Sequence, residues 1–199
     1  MSGDFRIQML SGRMIDPFDL RPEDIELDDF AWTLANTGGF RCQSRPIYYN
    51  AQHVCAVARM VPDRLKLPAL HHDDAETIIG DWPTPMKPKV PEVHALEDRI
   101  MRVVAERWGF DFIDLDDPEL KRCDRIARGV EGWCLMGRPK WAEDYVKRAG
   151  CASMQEAIRE YPFGDIVGTC SYRAEVWTPD RGFDEYREAH VRYTIGAQV

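Results

Sequence analysis

The sequence predicts an all-α protein built as one domain. Apolar residues recur at helical spacing in most segments, and those segments begin at a capping residue or a proline and end at a glycine or a proline. Only two short runs could form strands. The chain has 199 residues, the length of one ordinary domain, and 44% of them are hydrophobic, which is enough to bury a core. We therefore expect a single domain over residues 1–199.

The N-terminal half is expected to hold one short strand and three helices. Residues 4–10 could form the strand, and Ser11 with Gly12 would end it. Each helix is marked at its start by a capping residue or a proline and at its end by glycine or proline. The helices are expected between Asp28 and Thr37, between Asn50 and Pro62, and between Pro68 and Gly80.

The C-terminal half continues the helical pattern. Further helices are expected between Pro91 and Gly109, from Pro118 to Cys134, over residues 139–149 and over residues 153–161. The end of the chain is ambiguous, because residues 171–177 could form a strand and residues 183–193 a helix.

Composition argues against several classes of protein. The net charge of −8 argues against a nucleic-acid polymer as partner, since such proteins carry a basic surface, but a small anionic ligand stays possible beside a bound cation. None of the six cysteines is spaced as CxxC, so a zinc knuckle or a thioredoxin-type site has no support. Several cysteines lie on the apolar side of the predicted helices, which favours a reducing compartment. The N terminus has no signal-peptide pattern, and no apolar run approaches the ~20 residues of a membrane span. We expect a cytoplasmic protein with no membrane partner.

Residues 71–87, HHDDAETIIGDWPTPMK, concentrate imidazole and acidic groups beside a stiff polar loop. We expect His72 and Asp73 on the third helix, with Glu76 one turn later. The loop that follows Gly80 would present Asp81, Thr84 and Lys87 between prolines. The remaining histidines and the second aspartate of the motif are expected at the surface: His71, Asp74, His94 and His190.

Four side chains from three predicted helices form the expected metal site. They are His53, His72, Asp73 and Asp124. Asp124 lies on or beside the apolar stripe of its helix, where a carboxylate is costly unless it is paired or bound to a metal. Mixed nitrogen and oxygen ligands suit Mn, Co, Fe, Ni or Zn better than Ca. A six-coordinate ion would keep two positions open, one for water and one for a phosphate oxygen.

These motifs resemble the HD-domain phosphohydrolase superfamily, and within it the YfbR-like and YfdR-like 5'-deoxynucleotidases and the DatZ-like phage dATP triphosphohydrolases. The resemblance covers residues 6–135, with a domain core of about 24–135. It fades in the helical extension over residues 139–199. The segments that carry it are AQH ending at His53, HHDDAETIIGDWPTPMK at 71–87, and KRCDRIA around Asp124.

The resemblance implies a compact helical bundle around a single divalent metal held by the four ligands above. It implies that metal-bound water attacks the α-phosphate, with Asp73 and Glu76 as catalytic residues and Glu76 as general acid or base. Relatives of this kind form dimers or rings, so a homo-oligomer is expected.

The resemblance also implies a nucleotide pocket. Asp81 matches the position that binds the 3'-hydroxyl of a deoxyribose and excludes a ribose, and Trp82, Pro83 and Thr84 match the loop around sugar and base. The family places an arginine and an aromatic residue ahead of the first histidine, where this chain has Gly39 and Phe40. The residues expected to handle phosphate instead are Arg41, Arg45 or Lys87.

The expected function is therefore metal-dependent dephosphorylation of deoxynucleotides, with a purine such as dAMP or dATP as substrate. One alternative is a phage-type dATP triphosphohydrolase that releases triphosphate. Another is a catalytically idle protein of this fold that binds nucleotides. Two weaker alternatives are a structural protein with fortuitous His and Asp residues and a cyclic-nucleotide or RNA phosphodiesterase.

Overall fold

The computed structural model describes residues 6–83, 85–164 and 176–196. These ranges are mostly helical, which confirms the all-α prediction. The predicted N-terminal strand is short: β1 (Ile7–Gln8) pairs antiparallel with β2 (Met14–Ile15). Among the helices of the described ranges, none is long and apolar enough to cross a bilayer.

The helices follow one another with short connections. They are α1 (Leu27–Asn36), α2 (Asn50–Met60), α3 (Lys66–His71), α4 (Glu76–Ile79), α5 (Pro91–Trp108), α6 (Pro118–Leu135), α7 (Lys140–Arg148), α8 (Met154–Glu160) and α9 (Pro179–Gly196). Short 3-10 helices lie at Pro22–Asp24, Gly39–Cys42, Asp63–Leu65, Lys87–Lys89 and Phe112–Asp116. The helix predicted over residues 183–193 lies within α9, whereas most of the strand predicted over 171–177 falls outside the described residues.

Local chemistry explains where several helices begin and end. The Asp117 side chain accepts a hydrogen bond from the Glu119 amide at the start of α6, and Ser153 does the same for Glu156 at α8. Gly109 ends α5 in the left-handed region with φ of +79°, which favours glycine. The starts of α6 and α8 and the end of α5 lie where the sequence predicts them.

The single helix predicted between Pro68 and Gly80 is wrong. The structure has two short helices, α3 and α4, separated by a turn at residues 72–75. In this turn the Asp74 amide donates to the His71 carbonyl and the Glu76 amide to the Asp73 carbonyl, three residues back rather than four. His72 and Asp73 therefore lie in the turn, and only Glu76 begins a helix.

Helix α2 lies at the centre of the main core. All its residues from Asn50 to Ala58 are buried, and α1, α3, α6 and α9 contact it. A second apolar cluster gathers the N-terminal hairpin and α5. Three of the buried α2 residues are polar, namely Asn50, Gln52 and His53. Buried polar groups need hydrogen-bonding partners, so the side chains that bind these three residues must lie beside α2.

Helix α7 packs closely against α6 because α6 carries two glycines at the contact. A Cβ atom at Gly129 would approach Val146 Cγ1 to 2.5 Å and the Ala142 carbonyl oxygen to 3.1 Å. A Cβ atom at Gly132 would approach the Trp141 ring to 2.2 Å. The helical extension beyond residue 139 is thus docked on the helix that carries Asp124.

We expect Gly129→Val to lower the free energy of unfolding by about 1–3 kcal/mol, because the added methyl groups overpack the contact of α6 with α7. Chemical denaturation measures the change. The control is Gly196→Val, since a Cβ atom at Gly196 meets nothing within 4 Å. Equal stability of the two variants would show that the glycine contact is unimportant.

Candidate metal centre

His53 faces the predicted site from the buried helix α2. Its side chain is fully buried, with Nδ1 2.9 Å from Glu131 Oε2 and Nε2 3.1 Å from Asp124 Oδ1. A hydrogen bond from Nδ1–H to Glu131 directs the Nε2 atom toward the cluster. Burial alone would lower the pKa of His53, but the Glu131 carboxylate and the hydrogen bond to Asp124 raise it to about 10. A metal ion would have to displace the proton on Nε2.

His72 offers the clearest sign that the cluster suits a metal. Its Nδ1 donates a hydrogen bond to the Ala69 carbonyl oxygen at 2.7 Å, which leaves the lone pair on Nε2. That Nε2 atom is buried and makes no hydrogen bond to any described residue, although Asp73 Oδ1 lies 3.3 Å from it. An unpartnered buried acceptor is costly, and a bound cation would satisfy it.

The turn brings the metal-ligand candidates together. His53, His72 and Asp73 each offer one ligand atom, and these atoms lie within 4.8 Å of one another. This cluster can hold a metal ion, as the sequence predicts. Asp124 Oδ1 lies 3.7 Å from His72 Nε2 as well as 3.1 Å from His53 Nε2, but Asp124 is not part of that compact group. Its role as fourth ligand stays a prediction.

Arg128 is a site residue that the sequence reasoning missed. Its Nη2 lies 2.9 Å from Asp73 Oδ2, and its Nε lies 3.9 Å from Asp124 Oδ1. Burial would lower the pKa of Arg128, but the surrounding carboxylates raise it above its ordinary value. A signal was available, because Arg128 follows Asp124 by four residues and shares its face of α6. Arg41 and Arg45, the arginines expected at phosphate, are exposed and do not line the site.

Glu131 is the second residue that was missed. It lies seven residues after Asp124 on α6 and is fully buried. Besides the contact with His53, its Oε1 accepts hydrogen bonds from the hydroxyl groups of Tyr48 at 2.8 Å and Tyr161 at 3.2 Å. A carboxylate behind a ligating imidazole fixes the ring orientation and tautomer. Glu131 therefore connects the site to the core.

Glu76 lies close to the cluster at the start of α4. Its side chain is buried and accepts a hydrogen bond from the Asn50 amide. Burial, reinforced by the negative charge of Asp73, raises the pKa of Glu76 well above its usual range. A raised pKa favours the protonated form of the carboxyl group, which can act as a proton donor.

The cluster forms part of the lining of a cavity of about 1130 Å³. His72, Asp73, Glu76, Asp124 and Arg128 all reach this cavity. The predicted substrate residues that line it are Phe40, Asp81, Trp82 and Lys87. Two predicted substrate residues, Arg41 and Pro83, do not line it, and Thr84 lies outside the described residues.

The charge of Lys87 is already compensated. Its Nζ lies 2.5 Å from Glu97 Oε1, and this hydrogen bond raises the pKa of Lys87 although burial opposes the change. Lys87 therefore reaches the cavity as one half of an ion pair.

The neighbours of the metal motif form a second network, which corrects the expectation that they face solvent. His71 and Asp74 are fully buried, and their Nδ1 and Oδ2 atoms lie 2.7 Å apart. The Tyr186 hydroxyl donates to Asp74 Oδ1 at 2.7 Å, and His190 Nδ1 lies 2.9 Å from His71 Nε2. His190 is half-buried, so it too is not a surface residue, whereas His94 is exposed as expected. This network ties α9 to the turn.

Comparison with known proteins finds relatives but no characterised one. No family model matches the chain. The chain is 30% identical over 103 residues to the uncharacterized protein YfdR of Escherichia coli K12, covering 52% of this chain and 58% of YfdR. It is 35% identical over 143 residues to the uncharacterized protein RCAP_rcc00048 of Rhodobacter capsulatus, covering 65% of this chain and 72% of that protein.

The chain therefore belongs to the family of the uncharacterized Rhodobacter capsulatus protein. The match to YfdR confirms the resemblance to that protein, although the matched region spans only 58% of it. Membership of the HD-domain superfamily and the activity that it implies stay predictions.

We expect Glu131→Gln to weaken binding of Mn or Co by about 10–100-fold, because His53 loses the carboxylate that orients it. Isothermal titration of the metal-free protein measures the affinity. Glu156→Gln, at an exposed position on α8, is the matched control and should bind metal normally. Thermal unfolding would reveal whether any loss of affinity comes from misfolding, and unchanged affinity would contradict the role.

Proposed function

We propose that the protein is a metal-dependent phosphohydrolase that removes phosphate from 5'-deoxynucleotides. The observation that carries the proposal is the unpartnered, buried Nε2 atom of His72, which shares a compact cluster with His53 and Asp73 beside a large cavity. A divalent ion held by these residues would polarise the phosphoryl group and lower the pKa of water.

The residues around the cluster support this chemistry. Arg128 is fixed by its ion pair with Asp73, so its remaining guanidinium donors are oriented for the oxygens of a phosphoryl group. Glu76, with its raised pKa, would donate a proton to the 5'-oxygen as the nucleoside leaves. Glu76 is buried, so the low local dielectric strengthens its electrostatic effect on the reacting phosphate.

The sugar and base would lie against the loop after α4. Asp81 and Trp82 line the same cavity as the metal-ligand candidates, and Phe40 lines it next to Trp141 with ring centroids 6.0 Å apart. An acceptor at Asp81 suits a 3'-hydroxyl group, and the aromatic rings suit a base. This assignment rests on the resemblance and on the shared cavity.

One observation favours a second candidate, a nucleotide-binding protein without turnover. Arg128 already neutralises Asp73 at 2.9 Å, so the site has a resident cation in the absence of any metal. Such a protein would bind deoxynucleotides without releasing product.

A product assay separates the two candidates. The protein is stripped of metal, supplied with Mn or Co, and offered dAMP, dATP, AMP and ATP in parallel, with products resolved by chromatography. Release of deoxynucleoside supports the hydrolase. Nucleotide binding without product supports the second candidate, and neither binding nor product would contradict both.

We expect Asp73→Ala to lower both metal affinity and turnover by more than about 100-fold, because Asp73 is the carboxylate of the compact group it forms with His53 and His72. Metal titration and the product assay measure the two effects. Asp63→Ala is the control, because Asp63 is exposed and does not line the cavity. Normal turnover in Asp73→Ala would remove this residue from the metal site.

We expect Glu76→Gln to keep metal affinity but lower kcat by about 10²–10⁴-fold, the usual contribution of general acid–base catalysis. Glutamine has the same shape as glutamic acid and keeps an acceptor for the Asn50 amide, so the fold should be unchanged. Steady-state kinetics with dAMP checks the rate. An unchanged kcat would exclude Glu76 as the proton donor.

A further inference from the structure

Four polar side chains in or near the core take no part in the proposed chemistry. They are His71, Asp74, Tyr186 and His190, which form one hydrogen-bonded network. His71, Asp74 and Tyr186 are fully buried, and His190 is half-buried. None of these four residues, all of which the structure describes, lines the cavity. Burying polar groups is costly, so a network away from the cavity needs another role to explain it.

Two members of this network flank the metal-ligand candidates in the chain. His71 immediately precedes His72 in the sequence, and Asp74 immediately follows Asp73. The His71 and Asp74 side chains bond to each other across this pair, with Nδ1 2.7 Å from Oδ2. The Asp74 amide also donates to the His71 carbonyl at 3.1 Å. The turn that carries both ligand candidates is therefore closed by one side-chain bond and one backbone bond.

Helix α9 binds this closed turn through two side chains. The Tyr186 hydroxyl donates to Asp74 Oδ1 at 2.7 Å and lies 2.8 Å from His71 Nδ1. Burial and the negative charge of Asp74 raise the pKa of Tyr186 well above its usual range, so the hydroxyl keeps its proton and stays a donor. His190, one helical turn further along α9, has its Nδ1 atom 2.9 Å from His71 Nε2. Both ring nitrogens of His71 and both carboxylate oxygens of Asp74 therefore have partners.

Two aromatic rings pack on the His71 imidazole. The Trp108 ring at the end of α5 is tilted by only 24° from the imidazole plane, with ring centroids 5.3 Å apart. The Phe110 ring is tilted by 15°, with centroids 6.2 Å apart. Rotation of the His71 ring would break these contacts as well as its hydrogen bonds. The orientation of His71, and with it the closed form of the turn, is therefore fixed from several sides.

Helix α9 also has contacts with α1 and α2 that do not involve the network. Gly182 lies against Ala35 of α1 and Ala51 of α2, where a Cβ atom on the glycine would come within 3.3 Å of each alanine Cβ. Arg187 forms an ion pair with Asp28 at 2.6 Å. These contacts dock the helix without touching the turn. What the network adds is a connection to the turn that carries the ligand candidates.

We propose that this network couples the candidate metal centre to α9, with Tyr186 as a positioning residue that holds His72 and Asp73 in the geometry needed to bind a metal. The coupling is reciprocal, because a contact that strengthens metal binding is itself strengthened when the metal binds. A bound divalent ion therefore stabilises the docking of α9. The inference rests on the metal centre of the proposed function but not on turnover.

The first test compares two tyrosine variants on the same helix. Tyr186→Phe removes the hydroxyl bonded to Asp74 and keeps the ring. We expect its affinity for Co to fall about 10-fold, the lower end of the loss that follows removal of a group supporting a metal ligand. The visible absorption spectrum of bound Co should change too, since it reports the geometry of the ligands. Tyr193→Phe removes a hydroxyl of α9 outside the network and should match the wild type in both measurements.

Stability and metal affinity are measured separately, so that a purely structural role is recognised. Thermal unfolding of the metal-free variants measures stability. Isothermal titration well below the unfolding temperature measures the Co affinity of the folded protein, which a loss of global stability alone leaves unchanged. His190→Ala is a second variant, because it removes the contact with His71 Nε2 from a half-buried position. It should weaken Co binding in the same direction, and it carries the test if Tyr186→Phe does not fold.

Hydrogen exchange tests the reciprocal effect. Co should slow the exchange of α9 amides in the wild type and have a smaller effect in Tyr186→Phe. Wild-type Co affinity and spectrum in Tyr186→Phe, an absence of any effect of Co on α9, or a failure of the wild type to bind Co would overturn the inference. Co binding that depends on Tyr186 without product from any nucleotide would contradict the hydrolase proposal and leave the coupling supported.

Discussion

The contact between His53 and Glu131 is the constraint on which the site depends. Both side chains are fully buried, and each would be costly there without the other. The hydroxyl groups of Tyr48 and Tyr161 donate the remaining hydrogen bonds to the carboxylate of Glu131. Glu131 on α6 therefore contacts both the segment just before α2 and the segment just after α8. Only in this arrangement does His53 Nε2 face the turn that carries His72.

Because of the turn at residues 72–75, the four consecutive polar residues 71–74 point into two different environments. His72 and Asp73 reach the cavity, while His71 and Asp74 face α9 and bind Tyr186 and His190. A continuous helix would separate neighbouring side chains by only ~100°. In the turn the backbone hydrogen bonds span three residues, which changes the directions in which the side chains of residues 71–74 point. One short segment can therefore contact both the candidate metal cluster and the C-terminal helix α9.

Helix boundaries and the main ligand candidates were predictable because they depend on local chemistry. Asp117, Ser153 and Gly109 are of residue types that favour helix ends, and each lies at the end of a helix. The spacing of His53, His72 and Asp73 is recognisable in the sequence, and the three residues form one cluster. The break after His71 was not predictable, since the partners that hold it lie about 115 residues away at Tyr186. The close contact of α7 with α6 was missed for the same reason, because Gly129 and Gly132 reveal it only once the partner helix is known.

The charges around the cluster are compatible with either a proton or a metal ion at His53 Nε2. Burial and Asp73 raise the pKa of Glu76, and the other acidic groups next to the imidazoles are Asp73, Asp124 and Glu131. Arg128 and a proton on His53 compensate two of these charges. The Nε2 lone pair of His53 can hold either that proton or a metal ion, and a divalent ion brings one more positive charge than the proton it displaces. An anionic substrate, which the proposed function requires, would then meet less electrostatic repulsion at the cluster.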